Sequence, residues 1–352
     1  MLFTTVHLPT AYSTMPREEE GTDNYCSAVI TVLEEALSNC VILTDEEGAI
    51  ASGLELAADK WPVKWAPRLR ALLKELRGLD RLVPVRSHEA PVGGAGDTVC
   101  QVALRIASTA GPDAVIVPNQ CQCDGICQGV RRGVQVGEYK LGSFNEKRRR
   151  GESVVLDDGD WSARDFEKAV LMPVLRYAKH VALIDGHIGL ATTKGTGAVP
   201  TIPNNYRDTL EWIYRLFRDI SDESRPRTFE IYCGVDDRTE ASRTLDSVEA
   251  LRTFARMTGS ESLPIQVHVK LNTASRRFPH DRFLVTNQTA LQIGRGFDLL
   301  NRNGRIRSTV VQRAEEEGRR VLADVRAQDD ASPANLRAGS AARLSRIPSR
   351  RK

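Results

Sequence analysis

The stretch 280–298, HDRFLVTNQTALQIGRGFD, decides how the C-terminal half of this 352-residue chain is interpreted. RFLVTN and TALQIGRG predict two strands with a turn between them. Side chains two residues apart on a strand share a face, so His280 and Arg282 are predicted to point the same way. A histidine can attack phosphorus or exchange a proton, and a guanidinium can hold phosphate oxygens in a bidentate manner. Asn287 would orient the bound group, and Gly294 would let the backbone approach a ligand.

Upstream and downstream residues supply further candidates for the same site. VALID at 181–185 predicts a strand ending in Asp185, and His187 follows it. His268-Val-Lys270 is a second His-x-Lys pair, which either adds charge to the pocket or forms the polar face of an edge strand. The predicted catalytic residues are His280, Arg282 and Asn287, and the predicted phosphate or ligand contacts are Asp185, His187, Lys270, Gly294, Arg295 and Asp298.

The spacing His-x-Arg-x4-Asn from position 280, with the later Gly-Arg-Gly element, resembles the phospholipase D signature His-x-Lys-x4-Asp. A divergent branch is more similar still. HDR followed by IGRGFD resembles the phospholipase D-like domain at the C-terminus of MIT-domain trafficking proteins, and VALIDGHIG resembles its first strand, with His187 in place of a tyrosine. The resemblance covers about residues 160–300. It implies a sheet flanked by helices and a phosphate site that needs no cofactor.

The signature departs from that of catalytic phospholipase D enzymes. Arg282 replaces a lysine, Asn287 replaces an aspartate, and the chain has one motif where the enzymes bring two together. The resemblance therefore implies that turnover would need a homodimer. Members of the MIT-associated branch are generally regarded as non-catalytic and bind membranes or partners. A structural interpretation also stays open, in which His280, Asp281 and Arg282 form an ion-pair network at a strand edge.

The N-terminal half alternates helical and strand-like segments. Helical periodicity covers 25–39, 63–77 and 97–109, and short apolar strands are predicted at 40–44 and 113–118. Such alternation is typical of an α/β layer with a parallel sheet, and the C-terminal half repeats the theme. The sequence therefore predicts an α/β protein with two α/β domains.

Acidic residues stand near these N-terminal strands. Asp45 follows the first apolar strand, Glu55 comes soon after, and Asp97 opens a helix. Carboxylates gathered over a parallel sheet can hold Mg²⁺ or Mn²⁺ for metal-dependent phosphodiester cleavage. Together with Cys26, this order resembles a PIN-like nuclease domain, in degenerate form because FTTV at 3–6 replaces an acidic strand. The other interpretation makes Asp97 a helix N-cap and the earlier acids a solvated turn.

Three cysteines, Cys121, Cys123 and Cys127, lie in the short loop QCQCDGIC. With a fourth ligand they could bind Zn²⁺ or an iron–sulfur cluster. Their spacing is not that of a zinc ribbon, and free thiols are the other interpretation.

Composition and charge set the organisation of the chain. We predict a PIN-like domain at 1–138, a linker in the charged segment 139–160, a phospholipase D-like domain at 161–312 and a disordered basic tail at 327–352. The net charge of +3 does not by itself imply nucleic-acid or membrane binding. The sequence contains no apolar run of membrane-span length, no secretory signal and no disulfide framework, so a cytoplasmic location is expected.

The two resemblances together predict a protein that binds or acts on nucleic-acid phosphodiesters, in a setting such as a bacterial defence system. The alternative is a non-catalytic adaptor or sensor that binds anionic lipid or a protein partner through the C-terminal domain. A metal ion would be needed only if Asp45 and Asp97 also take part.

Overall fold

The computed structural model divides into two units, Met1–Glu152 and Ser153–Lys352. Each unit is a mixed α/β fold, so the predicted fold class is confirmed. The structure describes residues 2–13, 19–85, 99–119, 132–150, 152–190, 193–194, 200–220, 226–236, 241–272 and 277–330.

The first unit is built on a parallel sheet with strand order β3-β2-β1-β4-β5. Its central strands are buried along their length, as expected for parallel strands covered by helices on both faces. The strands are β1 Phe3–His7, β2 Cys40–Asp45, β3 Leu82–Val85, β4 Ala114–Val117 and β5 Gly133–Gln135. The helices are α1 Thr10–Ser13, α2 Glu19–Asn39, α3 Ala49–Asp59, α4 Ala66–Gly78, α5 Val99–Ala110 and α6 Ser143–Arg150, with a 3₁₀ turn at Val136–Glu138.

The second unit is built on a mixed sheet with strand order β11-β10-β7-β12-β13-β14-β6, and β8 and β9 form a separate ribbon. The strands are β6 Ser153–Leu156, β7 His180–Ile184, β8 Thr193–Lys194, β9 Pro200–Thr201, β10 Thr228–Asp236, β11 Ile265–Asn272, β12 Phe283–Thr286, β13 Ala290–Ile293 and β14 Thr309–Arg313. The helices are α7 Ala163–Phe166, α8 Met172–Leu175, α9 Gly186–Leu190, α10 Asn204–Ile220, α11 Ala241–Thr258 and α12 Glu315–Arg326, with a π-helical turn at Glu167–Leu171.

Two segments have more structure than the sequence predicted. The segment 139–160 contains α6 and β6, and β6 pairs with β14, an interaction too distant in sequence for a four-residue strand to signal. Residues at the start of the predicted tail lie beside β11, because Leu271 N–H donates to Asp329 O at 3.1 Å. Residues 331–352 lie outside the described part of the chain.

The register between β12 and β7 brings together the residues of the candidate site in the second unit. β12 runs antiparallel to β7, with Phe283 opposite Ile184. One residue further along this register, Arg282 faces Asp185 at the C-terminal end of β7. The carbonyl of Arg282 accepts a hydrogen bond from Ile293 N–H at 2.8 Å, so β13 holds the other side of this residue.

Candidate functional site

Asp185 is the fixed point of the site. It is fully buried at the end of β7. Its Oδ1 accepts the backbone N–H of His187 at 2.8 Å, and its Oδ2 accepts that of Phe297 at 3.0 Å. Burial raises the pKa of this carboxyl, and the two hydrogen bonds and nearby Arg282 act in the opposite direction. Asp185 therefore ties the start of α9 to the turn after β13.

The turn after β13 requires glycine at position 296. Gly296 N–H donates to Ile293 O at 2.9 Å, and the glycine adopts a φ of +79°. A Cβ at this position would overlap Asp185 Oδ2 and would lie 2.9 Å from Arg282 Cγ. Both the left-handed backbone and the lack of space therefore exclude a side chain.

Arg282 lies beside this buried carboxylate, and within the described ranges most of its N–H donors make no hydrogen bond. Its Nε is 3.9 Å from Asp185 Oδ1, which is too long for a hydrogen bond. Its Nη1 donates a hydrogen bond to Gly294 O at 3.2 Å. A guanidinium has five N–H donors, so this bond uses one of the five. Because 25% of the side chain remains exposed, the guanidinium can still receive an anion.

Asp298 lies between two further arginines. Its Oδ2 is 3.6 Å from Arg295 Nη2 and 3.5 Å from Arg307 Nη1, beyond the usual length of a charge-assisted hydrogen bond. Its Oδ1 is buried and has no hydrogen-bond partner among the described residues. Arg295 Nε donates to the backbone carbonyl of Asp298 at 3.2 Å. Arg307 carries no motif of its own, so no sequence pattern pointed to it.

Tyr206, in the first turn of α10, also belongs to the site, although it is absent from the residues predicted from the sequence. Burial raises the pKa of its phenol to about 12. Asp185 and Asp298 contribute to this rise, whereas Arg282 and Arg295 oppose it, so the phenol shares the electrostatic environment of these four charges. No sequence signal links Tyr206 to these residues, because they lie in distant parts of the chain.

The predicted histidine does not lie on a strand. β12 begins at Phe283, and His280 and Asp281 form an exposed bend before it. The strand alternation that would align His280 with Arg282 therefore does not apply. Arg282 pairs with Asp185 rather than with Asp281, which argues against the ion-pair network considered for residues 280–282.

Asn287 lies at the opposite end of β12 from Arg282. Its Oδ1 accepts the backbone N–H groups of Lys179 at 2.9 Å and His180 at 3.3 Å. Five residues of extended strand separate its Cα from that of Arg282 by roughly 16 Å. The structure therefore does not bring Asn287 to the group that Arg282 would bind.

Lys270 and His187 occupy different surroundings. Lys270 is buried, donates to Gln328 O at 3.0 Å and pairs with Asp330 at 2.8 Å, so it fixes the segment after α12 to β11. His187 contributes its backbone N–H to Asp185, and its side chain is exposed.

The predicted metal site of the first unit is not assembled by its described members. Both oxygens of Asp45 accept backbone N–H groups of α3, from Ala49 and Ile50, at 2.7 Å each. Glu55 is exposed and pairs with Arg77 at 2.5 Å. Within the described ranges, no group of three histidine, cysteine or acidic side chains is placed to hold a metal ion. The remaining predicted ligands, Asp97, Cys121, Cys123 and Cys127, lie outside the described residues.

The chain matches no protein-family model, and no curated protein matches it either. In the part of the chain that the structure describes, none of the helices has the length and apolar character needed to cross a membrane.

Proposed function

We propose that the second unit binds the phosphate groups of a nucleic acid and does so without cleaving it. The observation that carries this proposal is Arg282, whose guanidinium is fixed beside a buried carboxylate while most of its N–H donors make no hydrogen bond to the described residues. The binding surface, called the arginine cluster below, consists of Arg282, Arg295, Arg307, Asp185, Asp298 and Tyr206.

The charge of the arginine cluster suits an anionic ligand. Three guanidinium groups against two carboxylates leave one excess positive charge when both carboxylates are ionised. Burial raises the pKa of Asp185, and the nearby Arg282 guanidinium opposes that rise. Arginine is well suited to phosphate because its planar N–H groups can donate to two oxygens at once.

The surroundings of His280 support binding rather than turnover. A nucleophilic or general-base histidine needs a second group that orients its ring. His280 is exposed and makes no hydrogen bond or ion pair with the described residues. Asn287, the other predicted catalytic partner, is occupied at the far end of the strand.

The exposed apolar residues favour nucleic acid over a lipid surface. Proteins that lie on membranes usually insert apolar side chains beside their basic groups. The large exposed apolar side chains of the described residues are Leu56, Val63, Leu141, Val155, Met257 and Val310. Val310 adjoins the arginine cluster, because Gly294 N–H donates to its carbonyl at 2.8 Å, and Val155 is its strand partner. This pair of valines is smaller than the apolar face that membrane-binding proteins insert.

The proposal is tested by fluorescence anisotropy with labelled single-stranded RNA and DNA oligonucleotides. We expect Arg282→Ala to weaken binding by about tenfold, because a charge-assisted contact contributes about 1.5 kcal/mol or more. Arg320→Ala, at an exposed position of α12, is the matched control and should bind as the wild type does. Equal affinity of the two variants would overturn the proposal. If the protein binds no oligonucleotide but sediments with phosphatidylserine vesicles, and if this sedimentation depends on Arg282, the ligand is a lipid and not a nucleic acid.

A cleavage assay on the same oligonucleotides tests the absence of turnover. We expect no cleavage with or without EDTA. Cleavage that survives EDTA and is abolished by His280→Ala would establish a phospholipase D-type reaction. Cleavage that disappears with EDTA and persists in His280→Ala would transfer the chemistry to the first unit.

A further inference from the structure

A second group of titratable side chains lies on the sheet of the second unit, at the opposite end of β7 from Asp185. His180 begins β7, Glu230 lies in β10, and Arg326 ends α12. Arg326 Nη2 donates to Glu230 Oε2 at 2.9 Å and lies 3.0 Å from His180 Nε2. These three residues, called the helix clamp below, join the last turn of α12 to two strands of the sheet.

The contact with Arg326 fixes the protonation state of His180. A guanidinium has donors only, so His180 Nε2 must accept this hydrogen bond and carries no proton. The proton of the neutral ring then lies on Nδ1, which donates to Thr228 Oγ1 at 2.6 Å. An imidazolium would place its own N–H against the N–H of Arg326, and the hydrogen bond between them would be lost.

Glu230 has no free position for a protonated His180. Its Oε2 lies 3.4 Å from His180 Nε2, but this oxygen already accepts hydrogen bonds from Arg326 and, at 3.0 Å, from the hydroxyl of Tyr232. A carboxylate oxygen has two lone pairs, and both are in use. A proton on His180 therefore repels Arg326 and competes with it for the same oxygen.

The neighbouring titratable groups on β11 and after α12 are engaged with one another. Lys270 pairs with Asp330 at 2.8 Å, so these two opposite charges balance. His268 stacks on Tyr232 with ring centroids 4.6 Å apart. Burial lowers the pKa of His268, which makes it the natural control for His180.

We infer that His180, Glu230 and Arg326 form a proton-sensitive clamp, which holds the C-terminal end of α12 on the sheet while His180 is neutral and releases it when the ring gains a proton. The release concerns the last turn of α12 and the segment 327–330 that follows it. Val325 in this turn belongs to an apolar cluster with Phe283 and Val285 of β12. Acid therefore uncovers an apolar face of β12.

The pKa of His180 has the direction that such a clamp requires. Burial lowers this pKa, Glu230 raises it and Arg326 lowers it, and the net result is a decrease from the ordinary value. The released state therefore takes up a proton at a higher pH than the docked state does. Docking of α12 is strongest above pH 6.5 and weakens as the pH falls below that value.

Hydrogen exchange of the full chain at pH 7.5 and pH 5.5, expressed as protection factors, tests the inference. The N–H groups of Ala327, Gln328 and Leu271 report on release, since each donates within the end of α12 or to the segment after it. We expect their protection to fall by about tenfold, as one pH unit below the ordinary histidine pKa implies. The amides of β10 should keep their protection. An equal loss in β10, or no loss at the three reporters, would overturn the inference.

Two variants assign the response to one histidine. His180→Gln keeps an acceptor for Arg326 and cannot gain a proton, so the reporters should differ by about twofold or less between the two pH values. His268→Gln is the matched control and should keep the tenfold response. A response that persists in His180→Gln, or that is lost in His268→Gln alone, would contradict the inference.

NMR of the wild-type protein tests the clamp without any substitution. The ¹⁵N shifts of the His180 ring report which nitrogen carries the proton. At pH 7.5 we expect the proton on Nδ1, and the midpoint of the ring's titration should coincide with the loss of protection at Ala327. A proton on Nε2 at pH 7.5, or a titration that leaves Ala327 protected, would overturn the inference.

Discussion

Asp45 of the first unit and Asp185 of the second occupy similar places in their sheets, yet only one of them forms part of a candidate site. Asp45 ends β2 and Asp185 directly follows β7, both are buried, and each accepts two backbone N–H groups. Asp45 takes both from the start of the next helix, whereas Asp185 takes one from the distant Phe297 and faces Arg282. A carboxylate at a strand end therefore becomes a candidate functional group through its remote partners.

The largest expected effect comes from the glycine beside each aspartate. Gly296→Ala should destabilise the second unit by about 4 kcal/mol or more, because a Cβ would clash with Asp185 in addition to the backbone strain. Gly48 near Asp45 has a similar φ of +78°, but a Cβ added there would meet no atom within 4 Å. Gly48→Ala should cost only about 1 kcal/mol. Hydrogen exchange in β7 and β2 measures the two effects, and equal losses would remove the distinction.

Removing each carboxylate separates the two roles directly. Asp185→Ala leaves Arg282 without its buried counter-charge and should cost about 3–5 kcal/mol, with loss of oligonucleotide binding. Asp45→Ala removes a helix cap and should cost about 1–2 kcal/mol. Oligonucleotide affinity should be unchanged in Asp45→Ala. Urea unfolding and anisotropy on the same preparations test both statements, and a loss of affinity in Asp45→Ala would contradict them.

Acid should change the contributions of His7 in the first unit and Asp185 in the second unit to stability with opposite sign. In the first unit, burial lowers the pKa of His7 to about 3 from 6.5, so the unfolded state takes up the proton first as the pH falls below 6.5. The first unit should lose about 3 kcal/mol between pH 7 and pH 4 through this group. In the second unit, the pKa of Asp185 is raised in the folded state, so the folded state takes up the proton first as the pH decreases. The free-energy cost of burying the charged carboxylate is then relieved, and this group makes the second unit more stable at lower pH.

Hydrogen exchange in β1 and β7 across this pH range follows the two units separately. His7→Gln should flatten the pH dependence of β1 between pH 6.5 and pH 4. The imidazole is fully buried, with bonds to Thr5 and Tyr12, so no solvent screening weakens the effect. An unchanged pH dependence in the variant would mean that another group causes the acid sensitivity.

The smallest expected effect concerns the phenol that the sequence did not signal. Tyr206→Phe removes a hydroxyl from the arginine cluster and should weaken oligonucleotide binding by about threefold, as the loss of one neutral hydrogen bond implies. The melting temperature should change little, since the ring remains to pack. A variant with wild-type affinity would exclude the phenol from ligand contact.

Local patterns in the sequence predicted most of the fold. The alternation of apolar strands and amphipathic helices predicted two α/β units. The sequence also predicted the strand that leads into Asp185 and the Gly-Arg-Gly element, in which Gly296 has no room for a side chain. The chemistry of the site depended on contacts between distant segments. Arg307 is held beside Asp298 by its N–H bond to Leu299 O, and Tyr206 comes from α10, which is distant in sequence, so no short motif encodes either residue. His280 and Asn287 fit a spacing rule that assumed a longer strand than β12 provides.

The central claim is that Arg282 and Arg295 grip a phosphate of a nucleic acid. NMR of the arginine Nε–H groups, recorded while a short single-stranded RNA is titrated into the full chain, tests this most directly. We predict that the Arg282 and Arg295 signals shift and saturate together while the Arg320 signal stays in place. Signals of Arg282 and Arg295 that remain unmoved while the RNA binds elsewhere would contradict the claim.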